Sequence, residues 1–234
     1  MAEENKTTEA AEEKKGEGLI EILVAVFLGI TALLTAWASW IGSLHGGNQA
    51  TNYTTSNNLA AEGNSMYNEA MQTYLSDLMV WNTLTEYEFD KEIALVNGND
   101  EEADLIEEKI QTYLDDNGSD ILVEAQSQMT DDMTSPFDVE GMTDKYFADA
   151  EDLLKQSEEV LEQGKKDNTN GDRFNLVNVI YSVVLFMLGI VGVFKHLPCR
   201  AAVLAIAVVG LIATTIFMFT LPMPTGFNFA SFFG

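Results

Sequence analysis

The chain has 234 residues, 47% of them hydrophobic, and sets 37 Asp and Glu against 12 Lys and Arg, for a formal net charge of −25. That balance excludes nucleic acid as a direct partner, because no basic stripe is present to displace counterions from phosphates. One cysteine excludes an internal disulfide framework and a cysteine-based zinc site, and two histidines leave little for metal or acid–base chemistry.

Charge and apolarity are segregated along the chain. Every acid lies at or before Asp172, so an acidic body is flanked by apolar ends. Residues 1–18 form a charged tail, expected to be disordered. It carries six Glu against three Lys, where a secretory signal needs net positive charge. Ala36-Trp37-Ala38 has the form of a cleavage site, but the apolar run continues past it, so residues 19–44 are read as a first transmembrane helix. Glu21 falls in its opening turn, where the interface is wet and the helix dipole favours an anion.

Residues 45–171 are read as an acidic helical domain outside the membrane. From Glu62 to Asp172 there are 30 acids and six lysines, and Val, Ile and Thr never alternate as strands require. A first helix is expected from about Asn48 to Val96, stopped by Asn97-Gly98-Asn99. Asn99 or Asp100 caps a second helix, which Asp115-Asp116-Asn117-Gly118 interrupts. A short amphipathic piece follows, with Ile121, Leu122, Ala125 and Met129. Ser135-Pro136 reads as a helix start, and a last helix runs from about Met142 to Gln163 with Tyr146, Ala150, Leu153 and Val160 on one stripe. Gly164 to Gly171 reads as a polar linker back to the membrane. The simplest packing is a helical hairpin, one long helix up and shorter helices back down.

A packing seam runs through the first span and the acidic domain. Inside the bilayer it is made of small residues, Ala25, Gly29, Ala32, Ala36, Ser39, Ser43, Gly46 and Ala50, which let helices approach closely. Outside, the frame continues through Tyr53, Asn57, Ala60, Asn64, Tyr67, Met71, Tyr74, Leu78 and Trp81, as a coiled-coil seam in water needs. The seam faces either another copy or the chain's own later helices, and Gly46-Gly47 is a place where the helix could break.

Residues 172–195, with the apolar run Phe174–Phe194, form a second span. A basic turn follows at 196–200, then a third span at 201–221 and an aromatic tail at 222–234. Phe227, Phe229, Phe232 and Phe233 of that tail are expected in the membrane interface. Three spans put the N-terminus and the Lys195–Arg200 turn on one side. Lys6, Lys14, Lys15, Lys195 and Arg200 outnumber Lys165, Lys166 and Arg173 across the bilayer, so the expectation is a multi-pass cell-membrane protein with a cytoplasmic N-terminus and the acidic domain outside.

Chemistry is sparse. The acid clusters, tested at Asp115 to Glu124 and Asp167 to Asp172, do not place acid, glycine and closing glutamate in the register of a calcium loop. They read as a solvated, self-repelling surface. His45 and His196 lie at membrane boundaries, Cys199 is a candidate for acylation, and Gly189 and Gly192 sit inside a span rather than in a phosphate-cradling loop. No cofactor, metal or catalytic set is proposed, and the chain is not expected to be an enzyme. Asn52-Tyr53-Thr54 and Asn117-Gly118-Ser119 match the glycosylation pattern, a frequent chance match.

The local sequence Asn68-Glu69-Ala70-Met71 followed by Trp81, with the basic turn Lys195 to Arg200, resembles an uncharacterised family of small three-span prokaryotic membrane proteins known as a domain of unknown function. The resemblance implies three spans and an acidic helical insert, and it brings no activity. The resulting expectation is an all-α membrane protein, with three transmembrane helices and a helical hairpin or coiled-coil insert between spans one and two. Its partners are the lipid bilayer and either further copies of itself or another membrane protein. A structural or scaffold subunit is the leading function. A channel or transporter subunit is the alternative, with a pore drawn from Asn175, Asn178, Ser182, Thr214 and Thr215.

Overall fold

A computed structural model describes residues 2–130 and 132–228, with side chains described from residue 16 onward. Among these the protein is all helical: α1 (Ala2–Val96), α2 (Asp100–Asn117), α3 (Asp120–Ser127), α4 (Met142–Ile190) and α5 (Leu197–Thr220), with 3-10 turns at Pro136–Asp138 and Val191–Val193. Segments of α1, α4 and α5 are long and apolar enough to cross a membrane. This is a membrane protein by length and composition.

Local chemistry accounts for most helix ends. α1 stops where Gly98 adopts φ +76°, a left-handed conformation that costs glycine nothing. Asn99 N then donates to Ala94 O (3.0 Å) and Gly98 N to Leu95 O (3.1 Å), the paired bonds of a Schellman end. Ser119 caps α3 by accepting from Leu122 N (3.2 Å). Ser135-Pro136 opens only the 3-10 turn, with Asp138 Oδ2 accepting from Ser135 N (3.0 Å) in a capping box.

The helix is continuous through Gly46-Gly47, where the sequence left both courses open, and its backbone is helical from Ala2, where Ala, Glu and Lys are strong helix formers. Gly164 to Gly171 is not a linker, because α4 runs unbroken through it. The glycines at its ends are buried contact points. A Cβ on Gly164 would lie 2.6 Å from the Tyr53 ring, and one on Gly171 would lie 3.6 Å from Gly42 O.

The chain divides into two compact units. One joins the residues up to Tyr53 with those from Leu161, and the other is Thr54–Val160. In the first unit, α1, α4 and α5 pack through Ala38, Ile41, Phe174, Tyr181, Leu188, Ala207 and Leu211. Buried positions on α5 fall at 200, 204, 207, 211, 214 and 218, the alternating steps of four and three that keep one stripe against neighbours. The opposite faces leave Leu33, Phe186 and Val209 at least two-thirds exposed, as suits hydrocarbon rather than water. In the second unit, α1, α2, α3 and α4 close around Val80, Leu84, Ile110, Leu114, Leu122, Met142 and Tyr146.

Along α1 the buried line is the expected seam moved back by one residue. It passes through Thr31, Ala38 and His45 in the first unit, and through Ser56, Gly63, Asp77 and Val80 in the second. One residue is a rotation of about 100°. Close approach by α4 decides the frame in the second unit: a Cβ on Gly63 would stand 3.0 Å from Leu154 Cγ and 3.3 Å from Ala150 O. Only small residues fit the centre of such a contact, so the aromatic residues flank it.

Candidate functional site

The most elaborate buried polar arrangement is at the end of the apolar run of α1. His45, on the buried line of α1, is 1% exposed, and its ring stacks at 5.8 Å on Phe174 of α4. Its Nδ1 lies 2.9 Å from Oδ1 of Asp167, itself 1% exposed, and its Nε2 lies 3.1 Å from the carbonyl oxygen of Pro222, just past α5. Each ring nitrogen thus faces an oxygen that can accept a hydrogen bond, one on a carboxylate and one on a backbone carbonyl. Asp167 Oδ2 accepts from Asn52 Nδ2 (3.1 Å) and Gln163 Nε2 (3.2 Å). Asn48 Nδ2 donates to Thr225 O (3.1 Å), which ties the same chain end to α1. The cluster fastens α1, α4 and the segment after α5 together. Beside it opens a cleft of about 610 Å³ lined by His45, Lys165, Lys166, Asp167, Arg173 and Pro222, among others.

The second unit holds a comparable pin. Asp77 is 1% exposed; its Oδ1 accepts from Ser119 N (3.0 Å) and its Oδ2 from the hydroxyls of Ser119 and Tyr146. Burial, and then the hydrogen bond to Asp77, push the Tyr146 phenol well above its ordinary value. On the outer faces the acids pair with the few lysines. Lys91 lies 2.5 Å from Glu88 and 2.7 Å from Glu107, and Lys145 lies 2.7 Å from Glu124. Their hydrogen bonds to lysine hold Glu107 and Glu124 below the usual carboxylate range.

The seam residues divide into two sets. Ala25, Gly29, Ala32, Ala36 and Ser39 are all exposed, and a Cβ on Gly29 would meet nothing within 4 Å. Among the described residues this half lies on the exposed side of α1. Tyr53, Met71, Tyr74, Leu78 and Trp81 are half-buried, whereas Tyr67 is 39% exposed with its ring 4.8 Å from that of Phe147. Tyr74 meets the rings of Phe137 (5.6 Å) and Tyr146 (5.4 Å) edge-on.

The polar residues of the spans bond locally. Ser182, Thr214 and Thr215 each donate to the carbonyl four residues earlier, Thr215 also meets Tyr181 Oη at 3.0 Å, and Asn175 is exposed. Asn178 keeps a buried Oδ1 with no hydrogen-bond partner among the described residues. Glu21 is not left to the helix dipole alone: Arg200 Nη2 reaches its Oε1 at 3.2 Å, and Glu17 lies 3.9 Å from Nη1. Cys199 is exposed. Phe227 packs edge-on against Trp37 (6.4 Å) and Trp40 (5.7 Å), while Phe229, Phe232 and Phe233 lie outside the described residues.

Asp167 and Asp77 escaped sequence reasoning because each is one acid among many, and their partners are 122 and 42 residues away. A usable signal existed for Asp167: it continues the three-and-four spacing Ser157, Gly164, Asp167, Gly171, Phe174, an odd position for a charge unless it is paired.

The close helix contact carries a test. Gly164→Ala places a methyl 2.6 Å from the Tyr53 ring, and overpacking of this kind costs about 1–3 kcal/mol. Gly29→Ala meets open space and gains helix propensity. Thermal unfolding in detergent should show a lowered midpoint for the first variant and an unchanged or raised one for the second.

Comparison of the chain with family models, with curated proteins and with solved structures returns no match.

Proposed function

We propose that the protein is a membrane-anchored structural subunit, which presents its acid-rich helical hairpin outside the cell membrane and assembles with further copies through α1. The N-terminus and the Lys195–Arg200 turn lie on the cytoplasmic side in this reading, following the excess of basic residues there. The carrying observation is the stripe Ala25, Gly29, Ala32 and Ala36. It is exposed on a helix whose other face is already occupied by the chain's own helices. Between membrane helices, association comes from close contact rather than from the hydrophobic effect, and small residues allow it. The buried ionisable groups support a structural role as well, since His45, Asp167 and Asp77 are each held by several partners.

A mass-resolving measurement in mild detergent should find an oligomer. Gly29→Leu and Ala36→Leu should lower its mass, while Leu33→Ala, also exposed but off the stripe, should not. Liposomes carrying the protein should show no conductance. A monomeric wild type would remove the assembly reading, and conductance would favour the channel alternative.

A further inference from the structure

We propose that the cleft beside the His45–Asp167 pair binds the phosphate headgroup of an anionic phospholipid from the surrounding leaflet. Four groups around the cleft are engaged with one another in pairs: His45 with Asp167 at 2.9 Å, and Lys165 with Glu162 at 2.6 Å. Lys166 and Arg173 also line it, and neither makes an ion pair or hydrogen bond among the described residues. Asp172 lies outside the lining. With His45 neutral, the three cations of the lining still exceed its two carboxylates, Glu162 and Asp167, on a chain whose formal net charge is −25. A polyanion would be repelled by the rest of the molecule, whereas a single phosphate held close to two cations is favoured.

The height of these cations selects the lipid as the source. Arg173 immediately precedes Phe174, where the apolar run of α4 begins, so it stands at the edge of the hydrocarbon. Lys166 is seven residues earlier on the same face, about 10 Å along the axis, and its flexible stem reaches back toward the bilayer. The headgroup layer is about 5–8 Å thick on each side, so the pair brackets it. Between them Asn170 lines the cleft with a side-chain amide that makes no hydrogen bond among the described residues. Below Arg173, on the same face of α4, Leu176 is 51% exposed and Val183 53% exposed. Cations above an open apolar track match a phosphate joined to acyl chains. Free phosphate shares the polar chemistry but has no use for the track. The proposal rests on α4 crossing the bilayer and is independent of the scaffold reading.

Native mass spectrometry of the full chain, delipidated in mild detergent, tests this with phosphatidylglycerol, phosphatidylcholine and inorganic phosphate as separate probes. Phosphatidylglycerol should be retained about ten- to thirty-fold more strongly than phosphatidylcholine, the contribution of two cations near a membrane surface. Lys166→Gln combined with Arg173→Gln should abolish that preference, while Lys155→Gln, an exposed lysine outside the cleft, should leave it intact. Arg173→Lys should keep most of the preference, which assigns the loss to charge rather than to misfolding. Equal retention of the two lipids overturns the proposal, as does a preference unchanged in the double variant. Binding of inorganic phosphate strong enough to displace phosphatidylglycerol overturns the lipid as the source.

Discussion

Removing His45 alone should destabilise the protein more than removing His45 and Asp167 together. Both residues are 1% exposed, and Asp167 Oδ1 lies 2.9 Å from the imidazole Nδ1. In His45→Leu the carboxylate keeps only the neutral amides of Asn52 and Gln163. A buried carboxylate stripped of its partner costs about 3–5 kcal/mol, whereas replacing a whole buried pair by apolar side chains is often neutral. The single variant also frees the carbonyl of Pro222, and with it one tie between α1 and the segment after α5. Unfolding in detergent should therefore rank wild type and His45→Leu/Asp167→Leu close together, with His45→Leu well below both. Asp167→Asn should fall between, since it keeps an acceptor for the ring but loses the charge. If the double variant were as unstable as the single one, packing volume rather than charge pairing would be the stabilising element.

Asp77→Ala should cost the second unit about 3–5 kcal/mol, comparable to breaking a buried charged network. Three donors, Ser119 N and the hydroxyls of Ser119 and Tyr146, lose their common acceptor at once. Tyr146→Phe removes one of the three and should cost less. A pH series separates its contribution from packing. The Tyr146 phenol is raised above its ordinary value of 10.0, first by burial and then by its hydrogen bond to Asp77. A raised acid keeps its proton in the fold where the unfolded chain has lost it, so its contribution is complete below pH 10 and declines as pH rises. Wild type should lose stability faster than Tyr146→Phe as pH climbs above 10, and the difference between them should shrink. Parallel curves would mean that the phenol titrates alike in both states.

The positions of these two pins explain the segmentation of the molecule. Asp77 joins α1 to the start of α3 and to α4, through groups 42 and 69 residues away. His45 joins α1 to α4 and to the segment after α5 across 122 and 177 residues. Each pin belongs to one compact unit, and each places its carboxylate where a neighbouring helix brings neutral or positive donors. The same chain carries 30 acids from Glu62 to Asp172. The buried ones are therefore distinguished by their partners rather than by their type.

Features that depend on composition over a short window were legible in the sequence. Three helices apolar enough to cross a membrane follow from transfer energies summed along each helix, whatever the helices touch. The end of α1 at Gly98, the short α3 and the capped turn at Ser135 follow from backbone preferences that act within four or five residues. Tertiary structure alone decided the rest. Along α1, small residues form two lines one position apart, Thr31 with Ala38 and Ala32 with Ala36, and only the approach of α4 and α5 selects between them. The cost of a glycine in a helix, about 1 kcal/mol relative to alanine, argues locally for a linker at Gly164 to Gly171. Contact with Tyr53 and with Gly42 O requires the missing side chains and keeps α4 helical there. Long-range pairing decides which acids are buried, because desolvating a carboxylate is unfavourable until specific donors from distant helices surround it.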